Sequence, residues 1–177
     1  MCSDYHALMR TIISVCGSDA DDASLSSEAL QVAQRVGQGI AQRGGILVCG
    51  GLGGVMEAAC RGAKEGHGVT VGILPDGAEE ANPFVDIPVR TGFGMRRNIL
   101  VVSAADVVIA IGGRWGTLSE ISFATIFGIP VVLVGGTGGC VDELASGRLM
   151  RNSVVKLHVA STAEEALEKA FALSKKR

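Results

Sequence analysis

Gly112-Gly113-Arg114-Trp115-Gly116-Thr117-Leu118-Ser119-Glu120 follows the apolar run Val107 to Ile111 and precedes an apolar-periodic segment reaching Phe127. A β-branched run of that length reads as a buried parallel strand, and the segment from Thr117 reads as a helix. The glycines therefore sit where a strand hands over to a helix. Glycine admits a ligand close to the backbone, and the first amides of a helix have no intrahelical partner and carry about half a positive charge. The junction is an expected phosphate site, with Gly113, Gly116 and Thr117 as the cradle and Arg114 or Arg97 as a source of charge. Thr117 and Glu120 also have the spacing of a capping box, which would account for those two residues without a ligand but not for three glycines and an arginine.

Outward from this stretch, strands and helices alternate. Thr11 to Cys16, Ile46 to Cys49, Val69 to Leu74, Val131 to Val134 and Val154 to Val159 read as further strands, with Val85, Ile87 and Val89 as a short alternating one. Helices are expected over a segment carrying Ala29, Ala33, Val36 and Ile40 and stopped by Gly44, then over Val55 to Lys64, Met95 to Ala104, Thr117 to Phe127, Val141 to Leu149, and from a Thr162/Glu165 capping box onward. Asp76 to Pro83 is polar and reads as a loop. This alternation predicts an α/β fold: a single Rossmann-like domain over residues 1–177, with a doubly wound parallel sheet and helices on both faces. The turns beginning at Gly17, Gly50, Gly112 and Gly135 then share the carboxyl edge of the sheet, where such folds bind ligands. That places Gly17, Ser18, Gly51, Gly53, Gly54 and Met56 with the central loop as expected ligand-binding residues. The second turn, Gly50-Gly51-Leu52-Gly53-Gly54, is not a dinucleotide fingerprint: Met56 stands where the third glycine belongs, which disfavours NAD.

Arg96 and Arg97 lie at an expected helix N-terminus, where the dipole opposes a cation unless something negative is near. Adjacent helical positions diverge by about 100°, so at most one of the two points into a site.

Composition narrows the partners. The net charge of −2 leaves no basic field for a nucleic acid, the short tail Lys175-Lys176-Arg177 notwithstanding. No apolar run reaches the ~18 residues that span a bilayer, and no signal-peptide pattern opens the chain, so a cytoplasmic protein is expected. Five cysteines without a C-x-x-C pair point to neither a disulfide framework nor a metal site; Cys16 and Cys49 read as core thiols at strand ends, with ligand contact as the alternative. His6, His67 and His158 read as structural or solvated.

The ordered residues resemble a known family. Gly112-Gly113-x-x-Gly116-Thr117-x-x-Glu120 is similar to the P-G-G-x-G-T-x-x-E signature of the lysine decarboxylase-like proteins, whose LONELY GUY members are phosphoribohydrolases. Arg97 matches the arginine of that family, and Gly50 to Met56 resembles its G-G-x-x-G-L-M turn. Ile111 stands where the signature has proline and Asn98 where it has lysine. Gly94-Met95-Arg96-Arg97-Asn98 with Thr117-Leu118-Ser119-Glu120-Ile121 resembles more closely the molybdenum cofactor carrier group. The resemblance implies two functions. One is binding of a phosphorylated heterocycle, a nucleotide or molybdopterin-type cofactor, with no other cofactor required and Trp115 as a stacking face or a subunit contact. The other is cleavage of a nucleoside 5′-monophosphate, with Arg97 and Glu120 as the catalytic pair. It also implies a homodimer or homotetramer. Amino-acid decarboxylation is not expected, since Lys64, Lys156, Lys169, Lys175 and Lys176 all lie away from the glycine turns.

Overall fold

The computed structural model describes residues 10–76, 81–147 and 156–174. Seven strands form one sheet in the order β4-β3-β2-β1-β5-β6-β7, and every neighbouring pair is parallel. The strands are β1 (Ile12–Gly17), β2 (Ile46–Cys49), β3 (Val69–Leu74), β4 (Ile87–Arg90), β5 (Val107–Ile111), β6 (Val131–Val134) and β7 (His158–Ala160). The helices are α1 (Ser27–Gln42), α2 (Val55–Glu65), α3 (Asn98–Ser103), α4 (Trp115–Ile126), α5 (Gly139–Ala145) and α6 (Ala163–Ser174). The expected doubly wound fold is the one observed, with Rossmann-like connectivity.

Strand alternation divides the core. Ile13 and Val15 of β1 face a cluster that buries Ala29, Ala33, Val36 and Ile40 of α1 with residues of α2 and α6. Cys16 of the same strand faces a cluster with Val102, Ile121, Ala124 and Val141 on the opposite side. The four apolar positions read as one stripe of α1 are thus all core, and the Ser26 hydroxyl caps that helix by accepting from the Ala29 amide.

Two expected elements differ. Met95 to Ala104 is not one helix: a 3-10 turn over Gly94–Arg97 precedes a short α3. Gly94, at φ 53°, and the two arginines make a poor helical start, and α3 begins only where Asn98 can anchor it to α4. α4 begins at Trp115, two residues before the expected Thr117, so Thr117 is its third residue and not a cap; the capping box is absent, and Thr117 and Glu120 are both buried. The second box is nearly as expected, with Thr162 accepting from the Glu165 amide while the Glu165 carboxylate takes the Ser161 amide. The distal part of the expected Val141 to Leu149 helix, the start of the Val154 to Val159 strand, part of the Asp76 to Pro83 loop, His6 and the Lys175-Lys176-Arg177 tail lie outside the described residues.

Candidate functional site

The sheet changes winding direction between β1 and β5, whose ends pair Gly17 with Ile111. Loops leaving adjacent strands in opposite directions open a crevice at that point. A cleft of about 270 Å³ lies there, lined by Gly17, Ser18, Asp19, Asp21, Leu52, Met56, Met95, Arg97, Asn98, Arg114, Gly116, Thr117 and Glu120.

One wall is the central glycine turn. Gly112 and Gly113 hold φ of 61° and 93°, a region that side-chain-bearing residues rarely enter. This turn sends the chain from the tip of β5 straight into α4. Its first two amides are tied to neighbouring loops: Gly112 N–H donates to Thr137 Oγ1 at 2.9 Å, and Gly113 N–H to Ser18 Oγ at 2.7 Å. The Cys140 amide donates to Gly113 O at 2.7 Å. Gly113 is therefore a brace behind the cleft rather than part of its lining. The first intrahelical bond of α4 runs from the Leu118 amide to Arg114 O, so the Trp115, Gly116 and Thr117 amides precede the helical ladder.

The other wall comes from the 3-10 turn and α3. Arg97 is buried and lines the cleft, whereas Arg96 is exposed and does not. The Arg97 guanidinium donates to Asn98 Oδ1 at 2.5 Å and, at 3.5 Å, to Gly50 O, and its Nη1 lies 3.5 Å from Glu120 Oε1. Its Nε is buried with no partner. Asn98 clamps the two walls together, its Nδ2 donating to Ser119 Oγ at 2.8 Å and to Gly116 O at 3.3 Å. A lysine at position 98 could not both accept from Arg97 and donate to α4.

Glu120 faces Arg97 from α4. Burial pushes its carboxyl up to about 7, and the attraction of Arg97 only partly opposes that shift. The folded value lies above the ordinary 4.5, so the native state holds the proton in a window where the unfolded chain does not. The stability from this group is full below pH 4.5 and is lost as the pH rises through about 7. Arg114, expected to supply charge, is instead engaged at the mouth, 2.6 Å from Asp21 and 3.7 Å from Asp22.

Of the residues expected to bind or, in a hydrolase, to catalyse, Gly17, Ser18, Met56, Arg97, Arg114, Gly116, Thr117 and Glu120 line one cleft. Gly51, Gly53 and Gly54 do not; they shape the turn beneath it, with the Val55 amide bonded to Ser18 O. Asp19, Asp21, Leu52, Met95 and Asn98 line it without having been singled out as binding residues. Asn98 carried a signal, since it follows Arg97 and departs from the R-K pair. Cys16, Cys49, Cys60 and Cys140 are free thiols, and none lines the cleft. Trp115 is 83% exposed and outside the lining.

The fold and its crevice define a Rossmann-like α/β protein with a polar cleft at the switch point of the sheet. The chain belongs to the SLOG cluster4 family, whose model matches residues 10–176. An uncharacterised protein of Archaeoglobus fulgidus is 46% identical over 97 residues, which cover 55% of this chain and 64% of that relative. The molybdenum cofactor binding protein of the phototrophic bacterium Rippkaea orientalis is 34% identical with a TM-score of 0.83, covering 94% of this chain and 98% of its own. The molybdenum cofactor carrier protein of Chlamydomonas reinhardtii is 33% identical with a TM-score of 0.80, over 93% and 98%.

Proposed function

We propose that the cleft binds the phosphate of a phosphorylated heterocycle and that the chain carries a molybdopterin-type cofactor without cleaving it. The observation that carries this reading is that the buried Arg97 lines the same cleft as Gly116 and Thr117, whose amides precede the helical ladder of α4. An anion at the helix start meets the dipole and the guanidinium charge together. The cleft volume of about 270 Å³ is at the low end for small-molecule sites, so it takes the phosphate end and leaves part of the ligand outside. The similarity to two molybdenum cofactor proteins over nearly their whole length supports the choice of cargo.

The test is to mix the protein with cofactor released from a molybdoenzyme, separate by gel filtration and oxidise to a fluorescent pterin. Pterin is expected to elute with the protein, while AMP yields no free adenine. Hydrolysis is the second reading, favoured by the 3.5 Å approach of Arg97 to Glu120, which matches the catalytic pair of the hydrolases. Adenine released by the wild type and not by Glu120→Gln would establish it and sink the carrier reading.

We also infer self-association through α4. Trp115 and Ile126 are 83% and 72% exposed, and eleven residues is about three turns, so both lie on one stripe. Light scattering is expected to give two or four times the 18.2 kDa chain mass, and Ile126→Lys to lower it. A wild-type monomer at micromolar concentration would refute this.

A further inference from the structure

Glu120 is three residues beyond Thr117 on α4, about 4.5 Å further along the helix axis. A phosphate at the start of α4 therefore stands close to a second, buried negative charge, and both compete for the guanidinium of Arg97. We propose that phosphate binding in this cleft is coupled to uptake of one proton from solvent by the Glu120 carboxylate, so that the ligand is held below neutrality and released as the pH rises. This rests on the anion reading given above and adds its regulation.

Two burdens fall on an ionised Glu120 when the ligand arrives. The phosphate repels it at short range, and the two anions share the single guanidinium of Arg97. Protonation removes both. In the free protein burial already sets this carboxyl near 7, and the ligand moves it higher. Above about 7 the free carboxylate is ionised while the bound one holds its proton, so affinity falls about tenfold per pH unit. Below that value both forms are protonated and affinity is flat.

Of the other described groups facing Glu120, Cys49 alone shifts toward this range. From β1, burial first and then the charge of Glu120 hold the Cys16 thiol well above its ordinary value. From α5, burial pushes Cys140 up to about 11. From β2, the hydrogen bond with Cys60 lowers Cys49, which makes Cys49 the one competing group. Arg97 faces it from the 3-10 turn as its ion-pair partner. At the mouth, the hydrogen bond from Ser24 holds Asp22 below the usual carboxylate range, so it stays ionised.

The experiment is calorimetric titration with sulfate, which does not itself titrate, between pH 6 and 8.5, in buffers of different protonation enthalpy. The wild type and Cys49→Ala are expected to take up close to one proton per ligand at pH 8. Glu120→Gln is expected to take up none and to show an affinity that does not vary with pH. Binding without proton uptake, or unchanged uptake in Glu120→Gln, overturns the coupling alone. Absence of binding at every pH overturns the anion reading and the coupling with it. Should Glu120→Gln fail to fold, the wild-type proton count with Cys49→Ala as control decides.

Discussion

Replacing Gly37 with alanine is expected to destabilise the protein by about 2–3 kcal/mol, although the same change in an exposed helix stabilises by about 1. α1 and α2 cross with their backbones in contact: a Cβ at Gly37 would lie 1.9 Å from Ala59 O, and one at Gly62 lies 1.9 Å from Gln34 O. Both obstacles are main-chain atoms, so no rotamer change relieves them. The helices have to part, and the packing of Ala33, Val36, Ala58 and Ala59 loosens with them. Gly39 supplies the contrast, since its Cβ would meet the Leu167 Cδ1 methyl, which can turn away. Thermal melts are expected to show Gly37→Ala lower by roughly 5–10 °C and Gly39→Ala by less. A Gly37→Ala protein as stable as the wild type would mean that the helices are not in contact.

The second large effect concerns binding. Arg97→Met is expected to weaken AMP binding by about 10- to 100-fold, because charge-assisted hydrogen bonds contribute about 1.5–3 kcal/mol each in buried sites. Arg96→Met is expected to change little, since that side chain is exposed and outside the cleft. The loss of Arg97 leaves Glu120 without its cation, and the carboxyl responds by holding its proton more firmly, which limits the damage to the fold. Calorimetry on both variants reads the difference, and equal affinities would remove Arg97 from the site.

The sheet was legible because its signal is local. Val107 to Ile111 and Val131 to Val134 are unbroken apolar runs closed by glycine, and the structure puts β5 and β6 on those residues. The stripe of α1 was legible for the same reason. What local pattern could not convey is the register of α4. The Thr117/Glu120 spacing fits a capping box equally well, and only the two left-handed glycines at 112 and 113 start the helix at Trp115, which turns Thr117 and Glu120 inward. The choice between Arg96 and Arg97 was likewise hidden. It depends on Gly50, 47 residues away, and on Asn98, whose amide grips a helix that begins well after it in sequence. Such contacts belong to the tertiary fold and have no period. The ion pairs of Arg114 at the mouth were hidden for the same reason, because nothing local marks Asp21 and Asp22 as its partners.

The two side-chain bonds from Thr137 and Ser18 to the glycine turn have a consequence for speed and affinity. A loop with this much glycine would ordinarily sample many shapes and have to be frozen by its ligand, at a cost of about 1–2 kcal/mol per residue fixed. Here the loops after β6 and β1 lend hydroxyl oxygens that accept from the Gly112 and Gly113 amides and fix the turn before any ligand arrives. The entropy of ordering is met during folding, so the anion proposed for this cleft would meet a turn already shaped. A site of that kind fills and empties without waiting for its glycine turn to rearrange.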